Sequence, residues 1–253
     1  MNKYPWLVLL WERKKPLRSR GRGTGKLPDL YPCRYDGLCG FCGGSIIASK
    51  YVLTAAHCMW EKDYITKRHT HRLDAKEIAV RIGDHNRKKA YEEKLPPAFV
   101  NVKEIHYHPN YFQERDGIDD PPTFGYLLGF DVAILELERE LDLTIFTPVC
   151  LPNPSDKHSW DGKSARAAGW GNIGPYPIVN YPDVPYEVDL TVMAQNDKRC
   201  AFDNGTMFKP VQMCSGIEKP NTGACHVRSP SERLFRYLFY RIFFPDVLYR
   251  ITF

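Results

Sequence analysis

The sequence predicts an all-β protein, and three observations carry that expectation. Short runs rich in β-branched and apolar residues recur along the chain, among them Ser45–Ile47, Tyr51–Ala55, Ile78–Gly83, Phe99–Ile105, Asp131–Leu137 and Val188–Met193. Several alternate apolar with polar positions, the period of a strand with one buried face. Turn formers separate them, since 18 glycines and 20 prolines punctuate the 253 residues. Eight cysteines at spaced positions point to bridges made in an oxidising compartment rather than to metal binding.

The totals narrow the class further. A chain of 253 residues, 43% hydrophobic and 26% charged, is long enough for one large β domain or two small ones, and is neither collagen-like nor disordered. Its net charge of +5 is local: Arg13, Lys14, Lys15, Arg18, Arg20, Arg22 and Lys26, against Glu12 alone, account for more than the whole excess. That tract reads as a solvated loop. Its neighbours Pro16, Gly21, Gly23 and Gly25 provide no stacking or groove-reading partner, so nucleic acid is not an expected ligand. The apolar run Trp6–Trp11 is too short for a signal peptide core. LFRYLFYRIFF near the C-terminus is too short to span a bilayer, and no transmembrane segment is expected.

In chain order, the stretch that organises the rest is FCGGSIIASKYVLTAAHC, Phe41 to Cys58. Two glycines allow close backbone approach, two short strands follow, and His57 stands at the end of the second, where a general base would be held in one orientation. The CGGS strand followed by LTAAHC resembles the trypsin-like (chymotrypsin-fold) serine endopeptidases. That resemblance implies two six-stranded Greek-key barrels, a Ser-His-Asp triad with His57 as general base, and a Cys42–Cys58 bridge. It also implies secretion to the extracellular space, a protein or peptide substrate, a macromolecular inhibitor as second partner class, and a monomer without cofactor.

The later elements follow the same family. Lys3–Trp11 resembles its first long strand, without the IVGG-like activation sequence that normally precedes it. Cys33 and Cys39 flank a turn, and residues 59–76 read as a surface loop whose His69 and His71 lack further ligands at metal-binding spacing. In GDHNRKKAYEEK, where some members bind calcium, Asp84, Glu92 and Glu93 offer carboxylates. Lys88, Lys89 and Lys94 oppose a cation, so no metal is expected. His108-Pro109-Asn110-Tyr111 is a family-like turn, and residues 112–130 are an insertion. Asp131-Val132-Ala133-Ile134-Leu135-Glu136-Leu137 resembles DIALLKL, which makes Asp131 the carboxylate that orients the histidine. Cys150, in Pro148–Pro152, matches a position that often ties the catalytic domain to a propeptide. Gly169-Trp170-Gly171 opens the second barrel, and the resemblance implies a Cys200–Cys214 disulfide. Asn204-Gly205-Thr206 is a glycosylation acceptor.

At the expected nucleophile the pattern departs. Thr222-Gly223-Ala224-Cys225-His226-Val227-Arg228-Ser229-Pro230 stands where the family writes DSCQGDSGGP. Ser229 has the nucleophile's spacing from Cys225, and Gly223 falls at the base of the specificity pocket, where no carboxylate would select Lys or Arg. Arg228 replaces the buried aspartate and Val227 replaces a glycine of the oxyanion hole. Val227-Arg228 can be encoded by GTAAGA or GTGAGA, an intron's consensus start, and Val227–Phe253 reads as a non-family tail. The expected organisation is a trypsin-like domain over 1–226, with a first barrel at about 3–137 and an incomplete second at about 138–226. Such a chain is expected to be inactive as written; the alternative is a non-catalytic homologue acting as a protein-binding module.

Overall fold

The computed structural model describes residues 3–13, 38–62, 69–89, 97–109, 111, 130–152, 160–171, 173, 180–194, 197 and 214–216. They fall into two units. The first holds the described residues within Met1–Asp84, Lys89–His106 and Ala133–Pro148; the second holds those within His85–Lys88, Tyr107–Val132 and Val149–Phe253. Secondary structure is almost entirely strand, which establishes the all-β class.

In the first unit, strands β1 (Leu7–Arg13), β2 (Leu38–Ala48), β3 (Tyr51–Thr54), β6 (Ile78–Ile82), β7 (Ala98–Tyr107) and β8 (Ala133–Leu137) form a closed barrel ordered β1-β2-β3-β8-β7-β6. Closure removes free sheet edges, so every barrel strand has a neighbour on both sides. The sequence of β1 shows why it sits inside: Leu7 to Trp11 are all buried, and β1 pairs antiparallel with β2 and with β6. Gly44 on β2 lets the sheet close tightly here. A Cβ at that position would lie 2.9 Å from Val52 Cγ1, 3.0 Å from the Leu53 carbonyl oxygen and 3.2 Å from Val8 Cγ2. After β8 the chain turns back along the β2–β3 connection, with the Leu137 and Leu141 N–H groups donating to the Lys50 and Ser49 carbonyls.

A pair of opposite charges is buried in this core. Arg81 of β6 is 1% exposed and its guanidinium faces the Trp11 and Phe99 rings, which themselves meet edge to face. Its charge is answered by Asp84, 0% exposed, at 3.0 Å, and Arg81 also donates to the Lys89 carbonyl. Gly83, with φ 70°, makes the turn that returns Asp84 toward Arg81. The Asp84 carboxylate thus has an arginine as its counter-ion.

Residues 59–76, expected as a plain surface loop, contain two further strands. β4 (Trp60–Lys62) pairs with β5 (His69–Arg72), and a 3-10 turn over Ala75–Glu77 follows, closed by a capping box between Asp74 and Glu77. Leu73 is buried and its N–H donates to the Met59 carbonyl, while the Arg72 guanidinium of β5 lies over the Trp60 ring of β4.

The second unit contains β9 (Ser164–Gly169), β10 (Tyr186–Met193) and β11 (Cys214–Gly216) in the order β11-β10-β9, all antiparallel. Ala165, Leu190 and Val192 form its buried cluster, flanked by Trp160, Ala167 and Val188. The segment His85–Lys88 belongs to this unit. Arg87 donates to the Tyr181 carbonyl at 2.7 Å, Lys88 pairs with Asp183 at 3.0 Å, and the Trp170 indole donates to the His85 carbonyl.

Candidate active site

His57 is placed by the end of β3. After Thr54 the chain stays extended at Ala55 (φ −88°, ψ 134°) and then enters a 3-10 turn over Ala56–Met59, with the Cys58 N–H donating to the Ala55 carbonyl at 3.1 Å. Ala56, Cys58 and Met59 are buried while His57 is exposed, so the turn is held by its neighbours and only the imidazole faces out. Two links fasten this turn to β2. Cys58 is disulfide-bonded to Cys42 with Cα atoms 6.2 Å apart, and the Thr54 hydroxyl donates to the Gly43 carbonyl at 2.9 Å. The Cys58 sulfur lies 3.7 Å from His57 Nε2.

Asp131 lies just before β8. β3 and β8 pair antiparallel with Thr54 opposite Ala133. The chain leaves β3 and enters β8 at the same end of this pair. The Asp131 residue is 7% exposed. Its backbone is bracketed: the Val132 N–H donates to the Phe130 carbonyl at 2.7 Å, a tight turn centred on Asp131. The Val132 carbonyl accepts from the His108 N–H at 3.0 Å, and the His108 ring stacks on Phe130. Burial holds the His108 imidazole below the usual histidine pKa, favouring its neutral form.

The remaining sequence-derived positions are distributed as follows. Ser229, Gly223, Cys200, Asn204, Cys33 and Cys225 lie outside the described residues. Cys214 opens β11, and Cys150 is a free, exposed thiol. His69 and His71 stand on β5. Sequence reasoning missed the roles of His108 and Phe130 beside Asp131. The HPNY turn marked the first, but nothing in the sequence signals a left-handed phenylalanine.

A closed six-stranded β barrel with a histidine turn bridged to its second strand has the architecture of a trypsin-like serine protease domain. The family model described as Trypsin matches residues 34–227, and the chain belongs to that family. Among curated relatives, the chain is 27% identical over 173 residues to "Phenoloxidase-activating factor 3" of Holotrichia diomphalia, a match covering 68% of this chain and 40% of that protein. Among solved structures, "Structure of GrC" superposes with a TM-score of 0.55 at 22% identity, covering 85% of this chain and 72% of the other, a likeness of fold. No helix among the described residues is long and apolar enough to cross a membrane.

Proposed function

We propose that the chain is a trypsin-family endopeptidase domain which keeps the general base, His57, and its orienting carboxylate, Asp131, but does not hydrolyse peptide bonds in the form given by this sequence. The observation that carries this reading is the run Cys225-His226-Val227-Arg228-Ser229. In a complete site His57 takes the nucleophile's proton as the serine attacks the scissile carbonyl. Asp131 fixes the imidazole tautomer and stabilises the imidazolium, and backbone N–H groups hold the oxyanion. Val227 and Arg228 stand where the oxyanion-hole glycine and the buried aspartate are needed. Loss of oxyanion stabilisation alone costs about 10²–10³ in rate.

The rest of the reading follows the family: a protein or peptide substrate class, recognition by macromolecular inhibitors, a monomer, and residence outside the cell, which suits the Cys42–Cys58 bridge. The family match ending at Val227 supports treating the residues beyond as non-family sequence. The alternative is a non-catalytic homologue that binds protein, a role the closed first barrel would also support.

The test is an assay of the purified chain with a peptide ester and a serine-directed phosphonate. Neither turnover nor labelling is expected. Turnover that the phosphonate blocks and that His57→Ala abolishes would overturn the proposal.

A further inference from the structure

We propose that Glu104, His106 and Glu136 form a divalent transition-metal site on the outer face of the first barrel, with Zn²⁺ as the ion it takes. The site is separate from His57 and Asp131 and is assembled by a break in the pattern of one strand.

Along β7, burial alternates at Val100, Asn101, Val102 and Lys103, inward and outward in turn. At Glu104 the alternation slips, because Lys103 and Glu104 are both exposed. That slip brings Glu104 and His106 to the outer face beside the neighbouring strand β8, which contributes Glu136. The two strands are tied alongside by the Glu138 N–H donating to the Asn101 carbonyl at 3.0 Å. His106 Nε2 is then 3.5 Å from Glu136 Oε2, and His106 Nδ1 is 3.9 Å from Glu104 Oε1.

The spacing suits a shared ion. Ligand atoms about 2.0–2.2 Å from a tetrahedral centre lie roughly 3.3–3.6 Å from one another. The Nε2–Oε2 separation already falls in that window. One ligand atom from each of the three residues can be chosen so that all lie within 4.8 Å of one another. Glu104 Oε1 faces the other ring nitrogen, and with its side chain 59% exposed it can turn toward the ion by rotating its torsions. The ring offers a single nitrogen to the ion, so Nε2, facing the better-placed carboxylate, is the ligand and water completes the shell. An imidazole with two carboxylates is a donor set for zinc or its first-row neighbours, whereas calcium takes oxygen ligands only.

Lys103 has two effects here. Its ammonium donates to Glu136 Oε1 at 2.7 Å, which fixes that carboxylate and leaves Oε2 turned to His106. It also repels a dication, so the site binds more weakly than its donor set alone would. Nearby, Glu138 accepts from the Asn101 amide at 2.7 Å, and Arg13 donates to the Asn101 side-chain oxygen.

The experiment is calorimetric titration of the metal-stripped full chain with ZnCl₂, with a thermal melt in parallel and CaCl₂ as the comparison ion. Saturable binding of one Zn²⁺ and a raised melting temperature are expected, with no response to Ca²⁺; an ion that binds only the folded state shifts stability by mass action. His106→Ala and Glu104→Gln should each weaken zinc binding roughly tenfold or more, as loss of a group in a metal site does. Lys103→Gln should strengthen it, and the His69→Ala/His71→Ala double variant should leave it unchanged. Absence of saturable binding overturns the proposal, as does wild-type affinity in both Glu104→Gln and His106→Ala. If His106→Ala melts abnormally without metal, the isosteric Glu104→Gln decides.

Discussion

His108 and Phe130 stack with ring centroids 4.7 Å apart and planes 21° apart, and among the described residues Phe130 is the one non-glycine with positive φ, at 51°. A bulky aromatic in the left-handed region costs about 1–2 kcal/mol. Here the ring contact offsets that cost one residue before the buried Asp131. A pH dependence follows. Burial depresses the folded pKa of His108 from its ordinary 6.5, so the unfolded chain binds the proton more readily. Stability is fully present above the unfolded pKa and is lost as pH falls from there toward the folded pKa. Urea unfolding at pH 7.5 and pH 5 should show a drop that shrinks in His108→Phe; an identical drop in the two proteins would contradict this.

The two glycines of the CGG segment should respond oppositely to one methyl group. At Gly44 a Cβ meets two side chains and a carbonyl at 2.9–3.2 Å, but at Gly43 the nearest contact is the Val8 carbonyl oxygen at 3.7 Å. Gly44→Ala should destabilise by about 1–3 kcal/mol, the cost of overpacking a tight core, while Gly43→Ala should lie near wild type. Chemical denaturation of the pair checks this, and equal effects would refute it.

Breaking the buried pair between Arg81 and Asp84 should be costly from one side. Arg81→Met leaves the Asp84 carboxylate buried without its guanidinium, a loss of about 3–5 kcal/mol. The double variant Arg81→Met/Asp84→Leu should recover part of that loss, because no uncompensated charge remains. Denaturant midpoints of the two variants test the order; a double variant less stable than Arg81→Met would show that shape, not charge, dominates.

Removing the Cys42–Cys58 bridge should cost about 3 kcal/mol, the loop-closure value for a separation of 16 residues. The loss should also reach His57, since the bridge is one of two ties between its turn and β2. In Cys42→Ala/Cys58→Ala, the backbone N–H at position 58 that donates to the Ala55 carbonyl is retained, and its hydrogen exchange should speed up more than that of β1. Unchanged exchange at that position would assign the turn's order to Ala56 and Met59 instead.

Strands whose apolar residues alternate or run together were legible in the sequence: β3, β6 and β8 lie within a residue or two of where periodicity puts them. The elements that escaped lacked that signal. β9 reads SARAAG, and its extended form comes from six register pairs with β10 rather than from its own propensity. β4 and β5 are short and polar, and are recognisable only once Leu73 is seen buried beside them. At the site, TAAHC puts His57 at a strand end and DVAILEL puts Asp131 at a strand start, and the structure has His57 in the turn after β3 and Asp131 just before β8. The φ of Phe130 was not legible, because its chemistry argues against the conformation it adopts. The Glu104, His106 and Glu136 cluster was hidden for another reason: one of its members comes from a separate strand much later in the chain.

The position of β8 between β3 and β7 sets a condition on how the chain is made. All its barrel neighbours leave the ribosome earlier, so the facing edges of β3 and β7 stay unpaired until Leu137 has emerged. At synthesis rates of about 5–20 residues per second, the interval between Tyr107 and Leu137 lasts a few seconds. During that time Val52 and Leu53 on one edge and Val100 and Val102 on the other are open to any passing strand. A nascent chain paused there is the form that chaperones would meet.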